Sequence, residues 1–175
     1  MEDLLRAEYL PIAEKRAITV WQNSPANNDL YFILSPNNSG RKVQGYLDGV
    51  LTEAGEIRAV VEMKCRDADW CTFENAWDKE VMIRRNKLEN GKRGSRLFGV
   101  PFVLLYYLAQ EDILLEMAVT DNAGNVVQPV RLERTQTRAN IDGGEAFEMN
   151  AFIDMSGAIL YKGDDYDNGC DYRAN

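Results

Sequence analysis

Apolar and polar positions change period several times along the chain, and each change marks an element. Over residues 2–22, Leu4, Leu5, Ile12 and Ile18 recur among charged residues with helical spacing. This stretch predicts helix, with Pro11 marking either a break or the first turn of a second helix. "NSPANN" at 23–28 is turn chemistry, "LYFIL" at 30–34 a short strand, and "SPNNSGR" a loop. In "KVQGYLDGVL" (42–51), Val43, Gly45, Leu47 and Gly49 share one face, while Gln44, Tyr46, Asp48 and Val50 share the other. Joined through "TEAG" to "EIRAVVEMK" (56–64), it predicts a β-hairpin.

"CRDADWCTFENAWDKE" (65–80) reads as a loop carrying Trp70 and Trp77. "NKLENGKRGSRLFG" (86–99) reads as a helix capped by Asn86 and Gly99. Leu88, Gly91, Ser95 and Phe98 form its inward stripe, whose small residues permit close approach to a sheet; Lys87, Lys92, Arg93 and Arg96 lie off that stripe. "PFVLLYYLA" (101–109) is short, β-rich and bounded by Pro, which predicts a central strand with "DILLEMAVT" (112–120) as its neighbour. "VVQPVRLER" (126–134) and "NAFIDMSGAILYK" (150–162) each read as one further strand, and the polar end from 164 to 175 as loosely held. The order predicts an α/β core over residues 2–120 with C-terminal strands over 121–163, all in one domain.

Composition narrows the chemistry. The chain has 175 residues and no histidine. That excludes Ser-His-Asp and Cys-His nucleophile sites, two-His zinc proteases and His-ligated deaminases. Hydrolytic chemistry here must run on carboxylates, Lys, Tyr or a hard metal ion. Three cysteines in no ligand pattern, an acidic N-terminus and no apolar run long enough to span a bilayer predict a cytoplasmic protein. The net charge of −8 argues against a general nucleic-acid coat. Yet Lys79, Arg84, Arg85, Lys87, Lys92, Arg93 and Arg96 face only Glu80 and Glu89 across one segment, and local fields decide docking.

The candidate chemistry lies in "RAVVEMKCRDADW" (58–70). Residues two apart on a strand share a face, so Glu62 and Lys64 project together, and Asp48 sits on the preceding hairpin strand. Two carboxylates converging at the end of a sheet suit a hard divalent cation, and a nearby Lys suits orienting its water.

The stretch "YLDGVLTEAGEIRAVVEMKCR", with its acidic residue in one strand and Glu-x-Lys ending the next, resembles the PD-(D/E)XK nuclease superfamily; Leu47 stands where the family has Pro. The resemblance implies a restriction-endonuclease-like αβββαβ core with a mixed central sheet flanked by helices. It implies a Mg2+-dependent nuclease acting on DNA phosphodiesters, Mn2+ substituting, of the kind common in phages and mobile elements. Asp48 and Glu62 would hold the metal, Lys64 would assist the water, and Glu14 or Glu8 from the first helix would complete the site. Arg84, Arg85, Lys87, Lys92, Arg93 and Arg96 would face the DNA backbone; a homodimer stays open.

Blander readings compete. Glu62 and Lys64 also fit a solvent-facing salt-bridge ladder, Asp48 a turn, and the basic run an exposed helix face. Trp70, Phe73 and Trp77 fit core packing better than base stacking, and Cys65 fits a small buried residue. A catalytically inactive nuclease-fold binding protein, acting on a nucleic acid or a protein partner, is the alternative function.

Overall fold

The computed structural model describes residues 10–34, 47–137 and 146–163. They form helix α1 (Leu10–Gln22), strands β1 (Leu30–Leu34), β2 (Gly49–Glu53), β3 (Glu56–Arg66) and β4 (Glu80–Arg84), then helix α2 (Arg85–Phe98). Strands β5 (Phe102–Leu108), β6 (Ile113–Ala118), β7 (Val130–Thr137), β8 (Ala146–Asp154) and β9 (Ile159–Lys162) follow. The fold class is α/β with a mixed sheet. Six strands run in the order β1-β2-β3-β5-β6-β9, and β4-β8-β7 make a second, antiparallel sheet. All neighbours in the large sheet are antiparallel except β3 and β5, which are parallel. That one parallel pair requires the long crossover through β4 and α2.

Alternation of side chains assigns the layers. From β5, Val103, Leu105 and Tyr107 pack with Ala13, Ala17, Val20 and Trp21 of α1. Phe102, Leu104, Tyr106 and Leu108 point the other way, into a core shared with Leu88 of α2 and with Val81, Ile83, Ala151 and Ile153 of the second sheet. Every residue of β5 is buried, as expected of a strand covered on both faces. The layers are therefore α1, the six-stranded sheet, then α2 beside the second sheet.

Helix α2 approaches the sheet closely. A methyl group built on Gly91 would fall on the Phe102 ring, and one on Gly94 would stand 3.2 Å from both Val60 methyls. Beside this contact a buried polar chain is closed. The Phe102 N–H donates to Thr120 Oγ1 at 3.0 Å, Thr120 and Ser95 hydroxyls are 2.8 Å apart, and Ser95 Oγ donates to the Gly91 carbonyl at 3.1 Å. Ser95 thus satisfies its own hydroxyl within α2 while tying the helix to Thr120, two residues past β6.

Several local expectations are corrected. The β2–β3 hairpin turns on Ala54 and Gly55, both at positive φ, so Thr52 and Glu53 belong to the strand rather than the loop. The expected loop at 65–80 is cut on both sides: β3 continues through Arg66, a π-helical turn spans Thr72–Ala76, and Glu80 opens β4. The N-cap of α2 is Arg84 in extended conformation, not Asn86, which already lies inside the helix; Gly99 does close it, in the left-handed region. Phe98 is 48% exposed and leaves the inward stripe after Ser95. The segment 150–162 is two strands in different sheets, separated at Met155–Ala158. As expected, the aromatic residues serve packing: Phe73 and Trp77 meet Tyr106, Trp70 meets Phe73, and both tryptophans lie partly buried against the core. The helical reading of 2–9, the face pattern of 42–46 and the polar end at 164–175 lie outside the described residues.

Candidate active site

The site is built where β2 and β3 part. Their ladder ends at the Gly49–Val61 pair, extended by the Asp48 N–H donating to the Val61 carbonyl at 3.1 Å. The next N–H of β3 on that side, from Met63, donates to Asp48 Oδ2 at 2.9 Å. A side chain thus takes over the hydrogen bond that the strand no longer supplies, which fixes the carboxylate against the sheet. Meanwhile β3 stays paired with β5 through Arg66. Glu62 and Lys64 therefore stand on a strand held from one side by β5 and opened on the other at Asp48.

Glu62 is fully buried, 0% exposed. That removes the solvent-facing ladder: a buried carboxylate requires partners, and it has two. Lys64 Nζ donates to Oε1 at 2.5 Å and Lys87 Nζ to Oε2 at 2.8 Å. Lys87 also reaches Asp48 Oδ1 at 3.3 Å. Alternation sends Val60, Glu62 and Lys64 toward the α2 side, and Lys87 descends from the first turn of α2 to meet them.

Charge and burial pull against each other here. Burial pushes the Glu62 carboxyl above the ordinary value; Lys64 and Lys87 draw it back and Asp48 pushes it further up. Glu14, on α1, is likewise pushed up, first by burial and then by the Asp48 and Glu62 charges, with Lys64 opposing. It belongs to the same electrostatic neighbourhood from the other face of the sheet. Burial alone would lower the Lys87 ammonium, but Glu62 and Asp48 outweigh it and the net shift is upward. Cys65, next to Lys64, is buried facing α1, and its thiol is pushed up to about 12 by burial, so it is an inert packing residue.

The sequence-derived residues thus sort by position. Asp48, Glu62 and Lys64 come together, and Glu14 approaches them; Glu8 lies outside the described residues. The basic residues divide. Arg84 pairs with Glu148 at 3.0 Å and Lys92 with Glu89 at 3.0 Å. Arg85 and Arg93 line an open groove of about 470 Å³ with Asn86, Glu89 and Asn90. Arg96 lies along α2 against Gly124. Lys87 is not off the inward stripe. It is four residues before Gly91 and eight before Ser95, so it continues the row that faces the sheet, and that spacing is the signal for its place in the site.

Among the described residues no group of three His, Cys, Asp or Glu side chains stands close enough to hold a metal ion. What the geometry does offer is a pair. Asp48 and Glu62 each present an oxygen to one point, where the Lys87 ammonium now sits. Comparison with protein-family models, curated proteins and solved structures finds no match to this chain.

Proposed function

We propose that this chain is a metal-dependent nuclease that hydrolyses DNA phosphodiester bonds on a restriction-endonuclease-like core. The observation carrying the reading is the convergence of Asp48, Glu62 and Lys64 on the fork between β2 and β3, with Glu62 buried. The element order adds support: a helix, three strands paired antiparallel in sequence, then, after β4 of the second sheet, a helix and a strand parallel to the third. A fully buried carboxylate such as Glu62, with a second one beside it, is costly to maintain in a purely structural role, and sites that do chemistry are where such groups collect.

In this reading Asp48 and Glu62 hold Mg2+, or Mn2+ in its place, through hard oxygen ligands. The ion supplies Lewis-acid polarisation of the phosphate and a lower pKa for water. Lys64, held on Glu62 Oε1, orients the attacking water and offsets charge developing on the phosphate. Glu14, on α1, adds negative charge to this neighbourhood without standing close enough to share the ion. Arg85 and Arg93, facing an open groove, contact the DNA backbone. The test is incubation with plasmid, linear and branched DNA in Mg2+ or Mn2+. Cleavage is expected from the wild type and a loss of about a hundredfold or more from Lys64→Ala. Equal behaviour of the two proteins on every substrate overturns the assignment.

A second reading has its own support. The absence of a three-ligand group among the described residues and the net charge of −8 favour a nuclease-fold protein that binds a partner without cutting. Manganese titration separates the two: uptake lost in Asp48→Asn favours the enzyme, and no uptake favours the binder.

A further inference from the structure

Lys87 stands where a cation shared by Asp48 and Glu62 would stand. Its ammonium lies 2.8 Å from Glu62 Oε2 and 3.3 Å from Asp48 Oδ1, and its side chain is 13% exposed. Two carboxylates that share one ammonium, one of them without access to water, repel each other, and the Lys87 charge between them offsets that repulsion. Lys64 is committed to the other oxygen of Glu62. The backbone that carries Lys87 is not free to withdraw, because Gly91, one turn on, is pressed against Phe102 and Gly94 against Val60. The ammonium leaves only by swinging its four-carbon stem, which a lysine does readily.

We propose that Lys87 is an internal counter-cation: it holds the Asp48–Glu62 pair together when no divalent ion is bound and is displaced toward solvent when one binds. The inference rests on the proposed metal-dependent reading and adds a regulation to it. The ion enters by exchange, a divalent charge replacing a monovalent one, so the lysine sets a threshold on metal affinity. Once displaced, the ammonium is free at the mouth of the site to meet a phosphate, so metal uptake and DNA binding reinforce one another. A lysine that served only as a DNA contact has no reason to be buried between carboxylates.

The experiment titrates Mn2+ into the full chain by calorimetry, for wild type and Lys87→Gln. Removing a competing unit charge a few ångström from the ligands is expected to tighten Mn2+ binding by about tenfold. Binding detected only in Lys87→Gln is the same outcome in stronger form. Equal or weaker binding by a folded Lys87→Gln overturns the proposal. A second measurement needs no variant: acetylation of Lys87 in the wild type, mapped by mass spectrometry, is expected to rise several-fold on Mn2+ saturation, and unchanged or reduced labelling overturns the proposal. If neither protein takes up Mn2+, the metal reading itself fails and this inference falls with it; uptake by wild type without tightening sinks the lysine's role alone.

Discussion

Gly91→Ala tests how α2 is seated, and with it the placement of Lys87. A methyl at this position would lie 2.7 Å from Phe102 Cε1 and closer still to Cγ and Cδ1. Unstrained carbon contacts lie near 3.5–4.0 Å, so helix and ring must separate by roughly 1 Å. Phe102 is fully buried and has nowhere to retreat. Alanine gains about 1 kcal/mol in helix propensity over glycine, whereas overpacking of this kind costs about 1–3 kcal/mol. The net is a destabilisation of about 0–2 kcal/mol, or a fall in Tm of up to roughly 8 °C for a chain of this size. Gly94→Ala is the internal control. Its methyl meets Val60 at 3.2 Å, a contact relieved by a few tenths of an ångström, so the propensity gain should leave it near neutral. Urea denaturation of the two variants measures the difference. Gly91→Ala at or above the wild-type midpoint, with Gly94→Ala below it, would refute the packing argument. If the proposed nuclease reading holds, a concordant loss of DNA cleavage in Gly91→Ala alone is expected, since Lys87 lies one turn away on the same row.

Two further outcomes are specific. Burial opposes ionisation of Asp112, but the hydrogen bonds from Arg16 and Tyr107 outweigh it and hold the carboxyl below its ordinary 3.8. Its stabilising contribution is therefore complete above the unfolded value and lost as pH falls through the lower folded one. The stability gap between wild type and Asp112→Asn, about 1 kcal/mol near neutrality and read as a difference in Tm, should close as pH falls below 3.8, and a gap independent of pH across that range counts against the pairing. Arg85→Ala with Arg93→Ala should weaken DNA binding uniformly across sequences and reduce the salt slope by about one per residue, leaving Mn2+ affinity unchanged; unaltered binding isotherms at two salt concentrations would remove the groove from the interface.

The chain's patterning exposes the large elements and misses those whose definition is tertiary. Uniform burial of 102–108 is legible because seven consecutive apolar residues admit few other readings. The meeting of Asp48 and Glu62 is legible as adjacency on a hairpin, although the hydrogen bond to Met63 that orients Asp48 is not. β4 is hidden because its inward set is only Val81 and Ile83, too short a run to show a period. β8 and β9 can be told apart on paper by the turn residues Asp154, Ser156 and Gly157, where the Ser156 N–H donates to Asp154 Oδ1, but their membership in different sheets is decided by distant partners. Lys87 was misplaced for another reason. A charge on an inward-facing row looks like an exception until the buried carboxylate that requires it is known.

The hydrogen bond between Asp48 and Met63 divides one functional group into two parts. Oδ2 is a member of the β-ladder in all but name, while Oδ1 faces the Lys87 ammonium. The carboxylate is thereby indexed to the backbone, and its position inherits the precision of a sheet rather than the latitude of a rotamer. It also means that mutagenesis at this position does not report on one thing. Alanine removes an anion and unpicks the fork in the same stroke, whereas asparagine, keeping an acceptor for Met63, separates loss of charge from loss of architecture. Backbone order and side-chain charge pairing are here two ends of a single side chain.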